Sequence, residues 1–327
     1  MTLGERIFRR LSDGRFASGQ ALAAEFGVTR SAVWKAVHAL GDAGARIEAV
    51  SNRGYRLCDG TAALDAARIL AQLPGDAQPR VARCEVAWAL PSTNAALLAA
   101  PEPRPGRAVV LLAEHQTAGR GRRGRPWVAP LGGAVCLSIG WTFAELPRDL
   151  AALSLVAGVC ALRALAVQGL NGLALKWPND LQAGGRKLGG ILIEMRAESA
   201  GPAVVVIGLG VNVALGAAAR AQVAAAGNEA VDLAELGGSA DRNALVACIV
   251  GEIVTALPKF AADGFAPFAA EWRQADALRG RPVSITTGGE PLVGIARGID
   301  AAGALLVETT SGLQRFVAGE VSVRARA

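Results

Sequence analysis

Lysine is scarce in this chain: four residues, Lys35, Lys176, Lys187 and Lys259, stand against thirty arginines. Such a bias draws attention to each lysine that remains, because a compact ammonium and a planar guanidinium bind differently. Cysteine is sparse and shows no pairing pattern. The five residues, Cys58, Cys84, Cys136, Cys160 and Cys248, contain no C-x-x-C. An odd, scattered set suggests neither a disulfide framework nor a thiolate metal site and fits a reducing, cytoplasmic setting. Of the two histidines, His115 has no histidine or carboxylate at metal or triad spacing, so it reads as structural. The N-terminus lacks the charged-then-apolar run of a secretory signal. The most apolar stretch, 150–162, is broken by Arg163 and too short to cross a bilayer, so it reads as part of a long buried helix over 150–167 and no membrane span is expected.

What is present is ample core material. Apolar residues make up 52% of the 327, mean hydropathy is +0.33, and the length suits two or three folded domains. A net charge of +6 and a sequence pI near 9.5 favour partners that carry phosphates or carboxylates, without separating nucleic acid from nucleotide.

The densest charge lies in Gly119-Arg120-Gly121-Arg122-Arg123-Gly124-Arg125-Pro126-Trp127. Three glycines free the backbone to turn its N–H groups toward an anion, and four arginines surround it. The spacing also satisfies G-x-G-x-x-G, but that fingerprint needs a helix opening at its end. Pro126, Pro130 and Gly132-Gly133 argue against one. A solvated basic loop without a ligand is the plain alternative.

Residues 1–60 read as a winged helix-turn-helix. Ile7, Phe8 and Leu11 form a helix face, Ser18 caps a second helix that stops at Gly27, and a third runs over 30–40 with Val33, Val37 and Leu40 inward. Two short strands, 47–50 and 54–57, look like a wing, and Asp59-Gly60-Thr61 closes the unit. A DNA-reading helix would present Arg30, Ser31, Trp34 and Lys35, with Arg53 and Arg56 on the wing. The alternatives are a protein-docking module and, for Trp34, a place in the helical core.

Residues 61–80 are expected to link, with a helix over 63–73, and 81–278 alternate short strands with alanine-rich helices. In Ser92-Thr93-Asn94 either hydroxyl reads as the N-cap of the helix that follows. A strand at 109–113 delivers Gln116 to the arginine loop, a strand at 173–177 stops at Pro178-Asn179-Asp180, and Lys187 lies where a hairpin re-enters the sheet. A strand at 204–207 leads into Gly208-Leu209-Gly210-Val211-Asn212-Val213. From 279 to 327, short strands split by Gly288-Gly289, 300–303 and Ser311-Gly312 suggest a small β-barrel.

Taken together, Ser92-Thr93-Asn94, the 119–127 loop, Lys176-Trp177-Pro178-Asn179-Asp180, the 186–194 stretch and the 208–213 stretch resemble the biotin protein ligases. They are similar in particular to the bifunctional type whose N-terminal winged helix represses biotin synthesis. The resemblance covers nearly the whole chain. It implies a multidomain α+β protein: a winged helix-turn-helix, a central α/β ligase domain with a mixed sheet, and an SH3-like barrel. In that chemistry a biotin carboxylate attacks the α-phosphate of ATP, and a lysine of an acceptor domain, such as that of acetyl-CoA carboxylase, then takes the acyl group. Positioning and electrostatics suffice, with Mg²⁺ carried mainly on the phosphates.

By resemblance Ser92, Thr93, Asn94 and Gln116 face the ureido ring, and Arg120, Gly121 and Arg122 hold the carboxylate and phosphates. Lys187 is the charge beside the reacting oxygens, Arg123, Trp127, Lys176, Asn179, Asp180 and Asn212 lie on the adenylate side, and Asp180 assists deprotonation of the acceptor amine. The resemblance also implies a homodimer formed when the adenylate binds, and operator DNA as a partner. The segment 217–233 has no aromatic residue, where some family members supply one to the adenine pocket. A ligase whose winged helix no longer binds DNA, a biotin sensor without turnover and a lipoate-type ligase are the competing readings.

Overall fold

In the computed structural model, residues 1–58, 62–197, 202–227, 229–238, 241–286, 290–317 and 322–325 are described. The turns expected at 59–61 and 288–289 lie outside them. Three helices open the chain: α1 (Leu3–Leu11), α2 (Gly19–Phe26) and α3 (Arg30–Asp42). Thr2, Ser18 and Thr29 each accept an N–H of the first turn, and α2 ends at Gly27 in the left-handed conformation that a residue without a Cβ takes at least cost. Strands β1 (Ile47–Val50) and β2 (Gly54–Leu57) pair antiparallel as the wing.

This unit is not an isolated bead. Leu131, from far along the chain, is 2% exposed inside its core beside Phe8 and Leu40. The Leu131 N–H donates to the Ala43 carbonyl at 2.9 Å, and Phe8 meets Trp88 edge-on at 5.4 Å.

The connecting helix is shorter than expected, α4 (Ala66–Ala71), and it is strapped down. Leu64, Ile69 and Leu73 belong to the central core. Glu114 and Arg242, both at most 1% exposed in their side chains, pair at 2.8 Å; Glu114 accepts the Leu64 N–H and Arg242 donates to the Ala62 carbonyl. Hydrogen bonds to backbone on both sides support this buried pair, although Arg242 Nε has no hydrogen-bond partner among the described residues.

The central body is a seven-stranded mixed sheet in the order β3-β4-β5-β9-β8-β7-β6. In chain order its elements are β3 (Val81–Leu90), α5 (Thr93–Ala99), β4 (Ala108–Gln116), β5 (Ala134–Phe143), α6 (Leu153–Val167), β6 (Ala174–Lys176), β7 (Asp180–Ala183), β8 (Arg186–Ala197) and β9 (Ala203–Asn212). Among the described strand pairs of this sheet only β3 and β4 run parallel. Then come α7 (Ala217–Ala225), α8 (Arg242–Asp263) and α9 (Ala269–Gln274).

Strand alternation divides the two sheet faces. Val135, Leu137, Ile139, Val205, Ile207, Leu209 and Val211 join the large core with α6 and α8. The opposite face carries Cys136, Ser138, Gly208 and Gly210, paired in register as Cys136 with Gly210 and Ser138 with Gly208.

Two expectations need correction. The 204–207 strand continues through Asn212, so the glycine stretch is strand interior. The buried helix expected over 150–167 is present, but with its leading turn it spans Leu150–Val167, 18 residues, so it is not too short and has the length and composition to cross a bilayer. Its burial argues for a core helix instead, with 67% of it inside the protein, and Arg163 ion-paired to Glu252 and Glu271.

The C-terminal unit comprises β10 (Pro282–Thr286), β11 (Leu292–Ile299), β12 (Leu305–Thr309), β13 (Gly312–Phe316) and β14 (Ser322–Ala325), an antiparallel sheet ordered β13-β12-β11-β10-β14. Among the described residues β13 and β14 do not pair, so the ring is left open. Val283, Ile285, Leu305 and Val307 share the central core, and Trp177, 1% exposed, donates its indole N–H to the Gly303 carbonyl at 3.0 Å.

Candidate functional site

A cavity of about 410 Å³ opens on the Ser138 face of the central sheet, and the arginine loop, the 176–180 motif and the C-terminal unit enclose it. Its lining includes Ser92, Thr93, Asn94, Gln116, Arg120, Gly121, Arg122, Arg123, Trp127, Lys176, Asn179, Asp180 and Lys187. Thus thirteen residues expected from scattered motifs, spread over almost one hundred positions, meet in one place.

At the floor, Ser92 caps α5, which sets Thr93 and Asn94 in the first helical turn, all three buried. Thr93 donates its backbone N–H to Gln116 Oε1 at 2.8 Å, and its hydroxyl lies 3.1 Å from the same oxygen. Asn94 donates to the Leu192 carbonyl at 3.2 Å and to Glu194 at 2.8 Å. Ser138 sits 2.7 Å from Thr93 Oγ1 and 2.6 Å from Asn94 Oδ1. Gly208 makes room for this cluster, since a Cβ there would stand 2.3 Å from Asn94 Oδ1. Of the two hydroxyls that read as alternative caps, Ser92 is the cap and Thr93 is a cavity group.

Along one side, Lys187 Nζ pairs with Asp180 Oδ1 at 2.6 Å and lies 5.8 Å from the Trp127 ring. The β7–β8 hairpin makes this pairing, because it turns Asp180 and Lys187 toward each other from adjacent strands. Asn179 donates its side-chain N–H to the Ile191 carbonyl at 2.7 Å, which ties the strand end to β8. Trp127 lies against Gly210, where a Cβ would come within 2.5 Å of the indole. Beneath it Cys136 is wholly buried, and burial pushes its thiol up to about 12.

The mouth is the arginine loop. Arg120 and Pro126 form a single bridge, a short 3-10 turn spans Arg122–Gly124, and no α-helix opens there, so the dinucleotide fingerprint does not apply. Arg123 takes a left-handed φ of 58°. Burial draws the Arg122 pKa below its ordinary value, Asp180 opposes that shift, and Arg123 and Arg125 reinforce it.

Asn212 is not where it was expected. Its amide donates to the Lys187 and Val231 carbonyls at 3.2 and 3.1 Å, 4% exposed, so it braces β8 behind Lys187 and does not line the cavity. Residues unmarked in the sequence reading also contribute: Leu278, Arg281 and Val323 in the wall, and Ser138, buried behind the floor, through its contacts with Thr93 and Asn94. Only the alternation of β5 could have singled out Ser138, as the polar residue in an apolar strand. The reach of Arg281 and Val323 into the cavity depends on how the C-terminal unit docks.

On the winged helix, Arg30, Ser31, Trp34 and Lys35 are exposed along α3. Trp34 is 52% exposed and stacks on His38 at 3.8 Å, which excludes it from the helical core. Arg53 and Arg56 both lie over the Phe16 ring, at 4.2 and 4.7 Å, and Arg56 also pairs with Glu48. Arg53 is exposed on the wing tip, whereas Arg56 is already engaged.

Residues 89–212 match the Biotin/lipoate A/B protein ligase family, residues 279–324 the Biotin protein ligase C terminal domain, and residues 5–56 an HTH domain. The chain is 36% identical over 325 residues to the bifunctional ligase/repressor BirA of Escherichia coli (strain K12), covering 99% of this chain and 98% of that protein. It is 38% identical over 238 residues to a biotin–[acetyl-CoA-carboxylase] ligase of Mycobacterium tuberculosis, covering 70% of this chain and 85% of that one. A biotin protein ligase from Aquifex aeolicus, solved in complex with biotin and ATP, superposes with a TM-score of 0.62 at 26% identity, covering 75% of this chain and all of that one.

Proposed function

This chain belongs to the biotin protein ligase family, in its bifunctional ligase/repressor branch, and on that premise we propose that it forms biotinyl-5′-adenylate from biotin and ATP, releasing pyrophosphate, and passes the biotinyl group to a lysine of a carboxylase acceptor domain, releasing AMP. The observation that carries the proposal is the convergence on one cavity of a neutral hydrogen-bonding floor, Thr93 and Gln116, with a cationic mouth, Arg120, Arg122 and Lys187. A cyclic urea with a carboxylate tail, meeting a triphosphate, has those two demands.

Chemistry at such a site needs no protein nucleophile. The ligand carboxylate supplies the attacking oxygen, and the protein holds two anions together while charge accumulates at the α-phosphate. Lys187 is the positive charge for that step, and its present partner, Asp180, keeps it fixed until an anion competes for it. Arg120, Arg122 and Arg123 would follow the phosphates and close the mouth against water. In the second half-reaction Asp180 would take a proton from the acceptor amine as that nitrogen attacks the acyl carbon. Among the described residues Asp180 is the one carboxylate in the cavity wall and is already paired, so Mg²⁺ would be held chiefly by the nucleotide's phosphates.

The repressor half of the proposal rests on α3 and the wing, which present Arg30, Ser31, Trp34, Lys35 and Arg53 to solvent. The finer reading is a cytoplasmic protein that dimerises when the adenylate forms, so that two winged helices span an operator. Two measurements test it. Lys187→Ala should abolish transfer of biotin to an acetyl-CoA carboxylase acceptor domain, and a wild-type protein that transfers none would leave only a sensor. Selecting genomic fragments on the protein, with and without biotin plus ATP, should enrich a palindromic site only with both ligands. Enrichment indifferent to ligand would remove the regulatory role.

A further inference from the structure

Lys187 lies near the start of β8, where the sheet itself does not hold it. β8 pairs with β9 only from Gly189 onward, and the β7–β8 ladder is broken by a bulge between Leu181 and Gln182. On the β9 side the Lys187 backbone is met by a different segment: its N–H donates to the Glu229 carbonyl at 2.8 Å, and its carbonyl accepts the Val231 N–H at 2.9 Å. The stretch 229–231 thus runs beside Lys187 as a parallel stub of strand. A buried carboxylate fixes that stub. Asp232, 3% exposed in its side chain, accepts the Leu215 N–H at 2.7 Å and the Glu235 N–H at 2.9 Å, and it pairs with Arg220 of α7 at 2.6 Å. Arg220 also donates to the Leu215 and Ala230 carbonyls, each at 3.4 Å, and pairs with Glu235 at 2.9 Å. Glu235 in turn pairs at 2.6 Å with Arg186, the residue before Lys187. The circuit leaves β8 and returns to it, and none of Arg186, Arg220, Asp232 and Glu235 is among the described residues that line the cavity.

We propose that Arg220 and Asp232 are positioning residues for Lys187: through the 229–231 stub they fix the backbone from which its ammonium reaches into the cavity. The proposal rests on the ligase reading, in which Lys187 is the charge beside the reacting oxygens. An ammonium on a four-carbon stem is placed only by where the stem begins and by what its tip meets. Asp180 holds the tip now, and an arriving anion competes for it, so during the reaction the root of the stem is the constraint that persists. A reacting group misplaced by about 1 Å costs about 100-fold in rate, even when the change responsible lies far from the chemistry. Arginine suits the hub of this circuit because its planar fork can meet Asp232, Glu235 and two carbonyls at once, which a single ammonium cannot do. Removing it leaves Asp232 buried without its counter-charge, and the stub loses the anchor that keeps it against β8.

The test reads adenylate formation by biotin-dependent pyrophosphate exchange on the full chain. Arg220→Gln should lower kcat about ten- to a hundred-fold and leave KM for biotin within about two-fold of wild type. Glu235→Gln, a change at an exposed carboxylate that loosens only the return to Arg186, should lower kcat a few-fold in the same way, and it carries the test if Arg220→Gln does not fold. The deciding measurement repeats both changes in a Lys187→Ala background. A residue that acts by placing Lys187 has nothing left to place there, so each change should alter the residual rate by less than about two-fold. A general loss of structure would instead multiply through both backgrounds. Full multiplication in the Lys187→Ala protein overturns the proposal. So does an unchanged kcat in both single variants, and so does a loss confined to KM for ATP, which would assign the circuit to the cavity wall at Ala226 and Gly227. A wild-type protein that exchanges no pyrophosphate with biotin present overturns the ligase reading beneath it.

Discussion

At the floor of the cavity Thr93, Asn94 and Ser138 are at most 4% exposed and their polar atoms are partnered by other protein groups, whereas at the mouth Arg120, Arg123 and Arg125 are exposed. The contrast follows from the two kinds of recognition required. A neutral ligand fragment is bound by short directional contacts, which must be in place beforehand because an unpaired buried polar group is costly. An anion is attracted over longer distances by flexible charges, and these can remain solvated until it arrives. On the proposed function the floor would decide which ligand is held, and the mouth when its reactive end is enclosed. Lys187, half-buried and paired with Asp180, stands where the two meet.

That division can be broken at its seam. Lys187→Ala should slow adenylate formation by about 10²–10³-fold, the scale for removing a charge aimed at a transition state, while biotin affinity changes far less. Pyrophosphate exchange reads the first quantity and calorimetry the second; equal losses in both would mean that Lys187 serves binding alone.

Two glycines on β9 separate the regions more finely. Gly208→Ala puts a Cβ 2.3 Å from Asn94 Oδ1, and Gly210→Ala puts one 2.5 Å from the Trp127 ring. Each should cost about 1–3 kcal/mol in a melting experiment. The kinetic signatures should differ: Gly208→Ala raises KM for biotin, and Gly210→Ala, by displacing the end of the arginine loop, raises KM for ATP. Identical signatures would merge floor and mouth into one unit.

Smaller effects belong to the exposed charges. Arg120→Gln and Arg123→Gln should each raise KM for ATP a few-fold, with the gap narrowing as salt is added, because exposed charges are screened beyond about 8–10 Å. Biotin binding should not respond to either change. The least perturbing check uses the thiols. Burial pushes Cys84, Cys136 and Cys160 up to about 12, so at pH 8 they hold almost no thiolate and should react slowly with a disulfide reagent. Trp127→Ala should speed the reaction of Cys136 alone, since that thiol lies beneath the indole.

Helix boundaries, the wing and most cavity residues were legible in the sequence for local reasons. Thr2, Ser18, Thr29 and Ser92 cap the helices that follow them, and glycine and proline punctuate the strands. Other features were not. Asn212 carries the polarity of a ligand contact, yet its amide is consumed by two backbone carbonyls, and only the packing of β8 against residue 231 determines that. The 63–73 segment has the composition of a spacer and becomes a strap because Glu114 and Asn243, distant from it in sequence, bind its backbone.

The same distinction runs through the whole protein. Residue order by itself determined the helical and strand periods, the caps, the flexible arginine loop and the chemistry that each motif could offer, since all of these depend on neighbours within a turn or a strand. Tertiary structure decided which polar groups stay free for a ligand. It paired Ser138 with Gly208 across β5 and β9, turned Lys187 onto Asp180 and seated Leu131 in the core of the winged helix. A hydrogen-bonding group or charge is available only if no closer partner takes it, and which partner is closest is a property of the folded chain.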